Sequence, residues 1–557
     1  MTIHADVVTR TAATVLVDQL RIQGTTHVFC VPGESYLPVL DALRDSGIKI
    51  IVCRNEGGAS MMAEAYGKQT GRPGICFVTR GPGATNASGG IHIAQQDSTP
   101  MILFVGQVER ENRGRDAFQE MDYRAFFGGL AKWVAEVNEP DRMAEMVAHA
   151  FSTALAGRQG PVVLSLPHDM LSLPSQSADA PFIEAVETAP GLAQMAALED
   201  LLAESARPMV ILGGGRWSEA ALGEIALFAE NFGMPVCTSF RRAHHFHPSH
   251  SNYAGDLGLA ANPKLVARVK ASDLVIAAGA RLSELTSQGY TLFDIPNPQM
   301  KLVHAYPGAE ELGRVYRPHL AIHASPKAFA RALAGLKTRR ASADVTPAHQ
   351  EYLDWSEKPM PQPGDVNLSE IMIWLREQLP DDAIICNGAG NYSGWIHRFY
   401  RFRRFNTQMG TVCGFMGYGM PAAVAMKALY PERTVVAVNG DGDFLMNGQE
   451  LATAAQYKLP IIAVVLDNST LGTIRMHQER EYPGRVSGTD LVNPDFAAMA
   501  RSFGGFGASV EKTADFAPAF EAAEASGLAS VIHVKFDAEG ITPTATLSGI
   551  RAKALRT

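Results

Sequence analysis

The stretch VVAVNGDGDFLMNGQELATAAQYKLPIIAVVLDNSTLG, residues 435–472, decides the fold. A β-branched run stops at Gly440, and Asp441 and Gly442 follow it. A helix-like segment comes next, and a second apolar run stops at Asp467-Asn468. Strand, helix and strand in that order predict a parallel α/β unit. Successive strand ends of such a sheet lie side by side at its carboxyl edge, where ligands bind. Asp441 and the amide oxygen of Asn468 can then reach one metal ion. Oxygen donors of this type suit magnesium or calcium, and magnesium bridges to phosphate oxygens. The turn glycines Gly440 and Gly442, with the helix start behind them, suit a diphosphate. A GDG triplet alone is a common turn, and a lone DN pair is weaker still. Their combination, 26 residues apart across a helix, is much harder to dismiss.

Outward from this stretch the same alternation recurs. Residues 1–185 carry the short apolar runs THVFCVPG, IKIIVCRNEGG, PGICFVTRGPG and PMILFVGQ with helical segments between them, and end on PVVLSLPHDML. A proline-, serine- and alanine-rich segment follows and reads as a linker. Residues 190–340 repeat the pattern with MVILGGG, MPVCTSF and ASDLVIAAGAR, and EKPMPQPGD forms a second linker. Residues 365–557 form the block that holds the opening stretch. The expectation is an α/β protein of three parallel-sheet domains, the first and third alike in strand pattern.

Composition narrows the function. The 557 residues carry a formal net charge of -8, and no long cluster of lysine and arginine interrupts it. That argues against nucleic acid or an anionic membrane as the main partner. The start, MTIHADVVTR, lacks an apolar signal core, and no run reaches the ~18 apolar residues of a membrane span. The expected location is cytoplasmic. Six scattered cysteines form no C-x-x-C pair and read as buried thiols. HHFHPSH, residues 244–250, lacks the paired carboxylate or cysteine spacing of a metal site.

The GDG and DN motifs together resemble those of thiamine-diphosphate enzymes, with Asp467 in place of the first of the family's two asparagines. The resemblance implies pyrimidine-binding, central and diphosphate-binding domains in chain order. It implies that Asp441, Asn468 and the carbonyl of Thr470 hold Mg2+ against thiamine diphosphate. Arg54-Asn55-Glu56 stands where the family has its R-H-E run. Glu56 would hold N1' of the aminopyrimidine, so that N4' serves as the internal base; without the resemblance it reads as a helix-start carboxylate. In CGFMGYGMPAA, Met416 would bend the cofactor and the Gly414 carbonyl would accept from it. In the family, active sites are shared between subunits, which implies a homodimer or homotetramer.

VPGES and the run DAFQEMDY look like acetolactate synthase. Gly33 would border the thiazolium, and Phe118 and Gln119 would face the substrate. The implied reaction is decarboxylation of a 2-keto acid such as pyruvate and transfer of the acyl carbanion to a second carbonyl compound. Three positions depart from that pattern. Leu285 falls where an arginine grips the second keto acid, and leucine cannot supply a bidentate hold on a carboxylate. His477 falls on a pocket-shaping tryptophan, with the unusual Arg475 near it, and His168 falls on a lysine. Arg475 and His477 are therefore candidates for the substrate pocket. Gly213, Gly214, Gly215, Arg216 and Arg281 resemble part of an FAD site, whereas HAYPG replaces that site's two aspartates; FAD is a candidate cofactor on this mixed pattern. The alternative is another thiamine lyase: a decarboxylase, a sulfoacetaldehyde-type acetyltransferase or a C–C hydrolase. An inactive scaffold is disfavoured by intact Glu56, Asp441 and Asn468.

Overall fold

The computed structural model of the chain describes residues 10–337 and 344–556. Residues 1–9, which hold most of the start expected to lack a signal core, lie outside the described residues. So do 338–343, where the expected range of the second domain ends, and 557. The chain divides into two compact units, one ending at Val186 and one beginning at Glu187.

The first unit is built on six parallel strands. In spatial order they are Lys49–Val52, His27–Cys30, Gly74–Val78, Met101–Gln107, Pro161–Pro167 and Trp133–Glu136. The inner strands are buried along their whole length, so their sequences are continuous apolar runs rather than alternating ones. Helices cover the sheet. Asn55 caps the helix Glu56–Thr70 by accepting from Gly57 N, and Gly71, at φ 68°, ends it in the left-handed region. The segment read as a linker is irregular except at its start, where Pro174–Ser175 pairs antiparallel with Arg10–Thr11.

The second unit contains two six-stranded parallel sheets. Its middle sheet runs, in space, Tyr253–Leu257, Val236–Ser239, Pro208–Leu212, Leu274–Ala278, Lys301–Tyr306 and Leu320–His323. Counted along the chain this is the order 3-2-1-4-5-6 of dinucleotide-binding folds. Its last sheet runs Gln408–Met409, Ile384–Asn387, Val435–Gly440, Ile462–Asp467, Ser530–Lys535 and Phe506–Val510. That order, 2-1-3-4-6-5, is also the order of the first unit's sheet. The likeness between first and third blocks is therefore one of topology.

Strand order fixes where ligands can sit. In the order 2-1-3-4-6-5 the winding direction reverses between the first and third strands, and the loops leaving them part to open a crevice. In the last sheet these loops begin at Gly388 and Asp441. In the first unit's sheet they begin at Val31 and Thr79. All three sheets are α/β with parallel strands. No helix among the described residues is long and apolar enough to cross a membrane.

Candidate active site

In the second unit, Val435–Gly440 and Ile462–Asp467 are neighbours, with Gly440 opposite Leu466. The two motif ends therefore meet as the spacing requires. Asp441 opens a one-turn helix and is 4% exposed; Asp467 is 6% exposed. One side-chain amide lies between them. Asn493 Nδ2 donates to Asp441 Oδ2 and to Asp467 Oδ1, both at 2.8 Å. The chain reaches that position through a short antiparallel clamp. Ser469 takes a left-handed φ of 53°, Leu491 N donates to Ser469 O at 2.9 Å, and Leu471 N donates to Thr489 O at 2.8 Å.

The two carboxyls are held differently. Burial pushes Asp441 up, to about 6, against hydrogen bonds from Gly442 N and Asn493. Burial acts on Asp467 too, but hydrogen bonds from His533, Ser469 N and Asn493 overcome it and hold it down at about 2. His533 Nε2 lies 2.8 Å from Asp467 Oδ2. Asp467 is thus a structural anion that organises the loop, and Asp441 is the carboxylate that a cation would complete. With the Asn468 amide and the Thr470 carbonyl, the donor set is oxygen throughout, as Mg2+ requires.

Behind Asp441 is a second carboxyl. Asp443 is 2% exposed and accepts from Tyr392 Oη at 2.7 Å, Gly417 N at 2.7 Å and Ala389 N at 3.3 Å. It pins together the loops that hold Gly388, Gly440 and Gly414–Gly417. A side chain at residue 388 would overlap the Asp443 carboxylate, so glycine there is a packing requirement. Gly414 and Gly417 take left-handed φ values of 68° and 82°, which carry Met416 over the Gly442 turn. Buried Arg241, from the middle sheet, donates through Nη2 to Gly388 O at 2.5 Å.

A cavity of about 410 Å3 opens here, lined by Gly414, Met416, Gly440, Asp441, Gly442, Asn468 and Thr470 among others. The structure therefore brings together every cofactor-side residue that the sequence indicates in this unit. Its lining does not include Arg475 or His477. Arg475 Nε donates to Glu479 at 3.1 Å, and its Nη1 lies 3.6 Å from Asp490. His477 is exposed beside Arg480. Arg475 and His477, expected in the substrate pocket, thus lie outside this cavity's lining, and the Arg475 guanidinium is bonded to the buried Glu479 carboxylate that Arg551 also grips.

In the first unit, Glu56 Oε2 accepts from Asn86 Nδ2 at 2.9 Å. Asn86 lies on the helix Gly81–Asp97, whose first amide donates to Gln119 O at 3.1 Å. Gln119 itself is left-handed, at φ 66°, and its buried Oε1 has no hydrogen-bond partner among the described residues. Phe118 is 75% exposed. Gly33 packs where a Cβ would lie 2.6 Å from Thr79 Cβ, across the crevice of this sheet. Gly33, Glu56 and Gln119 thus gather around the loops that leave neighbouring strand ends.

Sequence reading missed Asp443, Tyr392, Asn493, His533 and Arg241. Asp443 stands two residues beyond Asp441 in GDGDF and carries the clearest signal. Asn493 is placed by a clamp between loops and leaves no motif. The histidines of 244–250 do structural work: His244 and His245 are buried against Phe405, and His250 pairs with Glu230 at 3.1 Å. Five cysteines are buried and Cys413 is half-buried.

Three family descriptions match the chain. "Thiamine pyrophosphate enzyme, N-terminal TPP binding domain" matches residues 10–126, the central domain of the same family matches 195–333, and its C-terminal TPP binding domain matches 388–534. The acetolactate synthase large subunit of Parasynechococcus marenigrum is 33% identical over 516 residues, covering 89% of this chain and 82% of that protein. That of Corynebacterium glutamicum is 33% identical over 532 residues, covering 92% and 84%. The acetolactate synthase isozyme 2 large subunit of Escherichia coli is 31% identical over 530 residues, covering 94% and 95%.

Proposed function

The chain belongs to the thiamine pyrophosphate enzymes, within the group of acetolactate synthase large subunits, and from that membership we propose that it decarboxylates a 2-keto acid such as pyruvate and transfers the resulting acyl group to a second carbonyl compound. The observation that carries the reading is the convergence of Asp441, Asn468 and Thr470 on one cavity under Met416.

Bound thiamine diphosphate would supply the electron sink that lets a bond beside a carbonyl carbon break. The protein's part is to hold, orient and dry the site. Asp441, Asn468 and the Thr470 carbonyl would hold Mg2+ against the diphosphate, with Gly440 and Gly442 leaving room for close backbone approach. Met416 and the Gly414 carbonyl would seat the aminopyrimidine. Glu56, kept in place by Asn86, would hold a proton at the aminopyrimidine N1'. Gly33, Phe118 and Gln119 would border the substrate, and the unpartnered Gln119 Oε1 supports that role. The assembly is a homodimer or homotetramer with shared sites, which sedimentation of the purified protein checks.

The middle sheet does not fit FAD in this reading. Arg216 lies 3.2 Å from Glu187, and Arg281 lies 3.4 Å from Glu311. The strand Lys301–Tyr306 ends in His304, Ala305 and Tyr306, with His304 bonded to Ala280 O, where the FAD pattern that the sequence partly resembles has two aspartates. Purified protein should lack a flavin absorbance band.

The deciding experiment is incubation with thiamine diphosphate, Mg2+ and pyruvate, with products identified by NMR. A carbon–carbon coupled product supports the proposal. Acetaldehyde alone, or retention of pyruvate by protein shown to bind the cofactor, refutes it.

A further inference from the structure

The cavity around Asp441 has two unlike walls. The last sheet supplies a mixed one, where polar groups stand among Trp395, Met416, Leu471 and Ile474. There Asn391 and Thr473 are joined by a hydroxyl donated to Asn391 Oδ1 at 3.0 Å and by Asn391 N donated to Thr473 Oγ1 at 3.1 Å. The middle sheet supplies an apolar one. Phe240, Leu259 and Leu285 leave the ends of three of its strands and all line the cavity. They form one patch. The Phe240 ring packs 2.6 Å from where a Cβ on Gly258 would sit, and Gln288 Nε2 donates to both Gly258 O and Leu285 O, at 3.3 and 3.0 Å.

Positive charge is sparse in the cavity. Among the described residues that line the cavity, Arg241 is the sole cation. Its guanidinium is buried, donates to Gly388 O at 2.5 Å and lies 5.0 Å from the centre of the Phe240 ring. A carboxylate set against Phe240, Leu259 and Leu285 would lose its hydration and gain no charged partner from these three side chains. An uncharged carbonyl compound loses little there, and its apolar substituent gains contact.

Resting on the proposed reaction, we infer that the second substrate is an uncharged aldehyde or ketone with a short apolar substituent, selected against a second 2-keto acid by the wall of Phe240, Leu259 and Leu285. In the net step the donor's bond to its carboxylate breaks and CO2 leaves. The donor's carbonyl carbon bonds to the acceptor's carbonyl carbon, and the acceptor oxygen takes one proton. The product is a neutral α-hydroxy ketone, and no oxidant or reductant is consumed.

Propanal and 2-oxobutyrate differ only by the carboxylate, and 13C-labelled pyruvate marks the products in which pyruvate is the donor. Full-length protein with thiamine diphosphate and Mg2+ is given pyruvate and both acceptors at equal concentration, and the products are quantified by NMR. The neutral hydroxy ketone should exceed the acidic product at least tenfold, and Leu285→Arg should lower that ratio at least tenfold, with Leu285→Lys as the second variant if the first does not fold. An acidic product equal to or above the neutral one, or a ratio that neither variant moves, overturns the inference. If no 2-keto acid loses CO2, the proposed reaction falls by itself. Saturation-transfer NMR of butanone against 2-oxobutyrate on the same protein then decides the inference. Preferential contact with butanone that is lost in Leu285→Arg sustains it, and equal or stronger contact with 2-oxobutyrate overturns it.

Discussion

Replacing Asn493 by alanine removes one amide group and unmakes the arrangement of two carboxyls. Nδ2 gives hydrogen bonds of 2.8 Å to Asp441 and to Asp467, both buried. A hydrogen bond to a charged group contributes about 1.5–3 kcal/mol. Asp467 keeps His533 and Ser469 N, while Asp441 keeps only Gly442 N. Asp441 can respond by taking up a proton, which recovers part of the loss, so the net cost at neutral pH is on the order of 3 kcal/mol. At roughly 2.1 cal/mol/K per residue over the ~370 residues of the second unit, that is a fall in Tm of about 4 °C. The sign of the pH dependence follows from the raised Asp441 value. A carboxyl whose folded pKa lies above its unfolded one costs nothing below the unfolded value and destabilises as pH rises through the folded one, here about 6. The variant's deficit should therefore be partial at pH 5, where the bond to charged Asp467 is still lost, and full at pH 8. Mg2+ with thiamine diphosphate should recover much of it, because a cation takes over the charge that the amide balanced. Differential scanning fluorimetry of both proteins, with and without ligands, measures all of this. An unchanged apo Tm at both pH values, or an equal deficit at pH 5 and pH 8, would refute the reasoning.

Three further perturbations follow from the same geometry. Glu56→Gln keeps the shape and the helix start but removes the carboxyl; kcat should fall by about 10²–10⁴ with Tm unchanged, and unaltered turnover would remove Glu56 from the mechanism. Glu479 is held at about 2 by hydrogen bonds from Arg551, against burial, with Gly484 N and Arg475 adding to the hold. Its contribution to stability is present above the ordinary glutamate value of about 4.3 and is lost as pH falls toward 2. Glu479→Gln should therefore flatten acid unfolding in that window, and an identical acid limb in circular dichroism would contradict the assignment. Gly388→Ala sets a methyl group against the Asp443 carboxylate; a cost of about 1–3 kcal/mol is expected, with weakened thiamine diphosphate binding by calorimetry, and wild-type affinity would show that the loop can yield.

Much of this protein was written along the chain. The apolar runs ending in Gly440 and Asp467, the Gly-Asp-Gly turn and the Arg54-Asn55-Glu56 run are local features, and strand, turn and helix chemistry over a few residues fixes them. Hence the α/β class and the meeting of Asp441 with Asn468 could be read from the residues, and the family resemblance added Thr470 and Met416. What tertiary structure decided has longer reach. The identical strand order of the first and last sheets leaves no trace in residue identity, because a parallel sheet asks only for buried apolar runs. Asn493 reaches Asp441 through a clamp between two loops, and Asp443 accepts from residues 54 and 26 positions before it. Arg475 shows the limit from the other side. Its place near the motif suggests a substrate grip, and the fold adds what the motif does not show: a bond to Glu479, which a bidentate Arg551 fixes from 72 residues away. A charged side chain takes the buried partner that folding brings to it, and sequence distance does not record which partner that is.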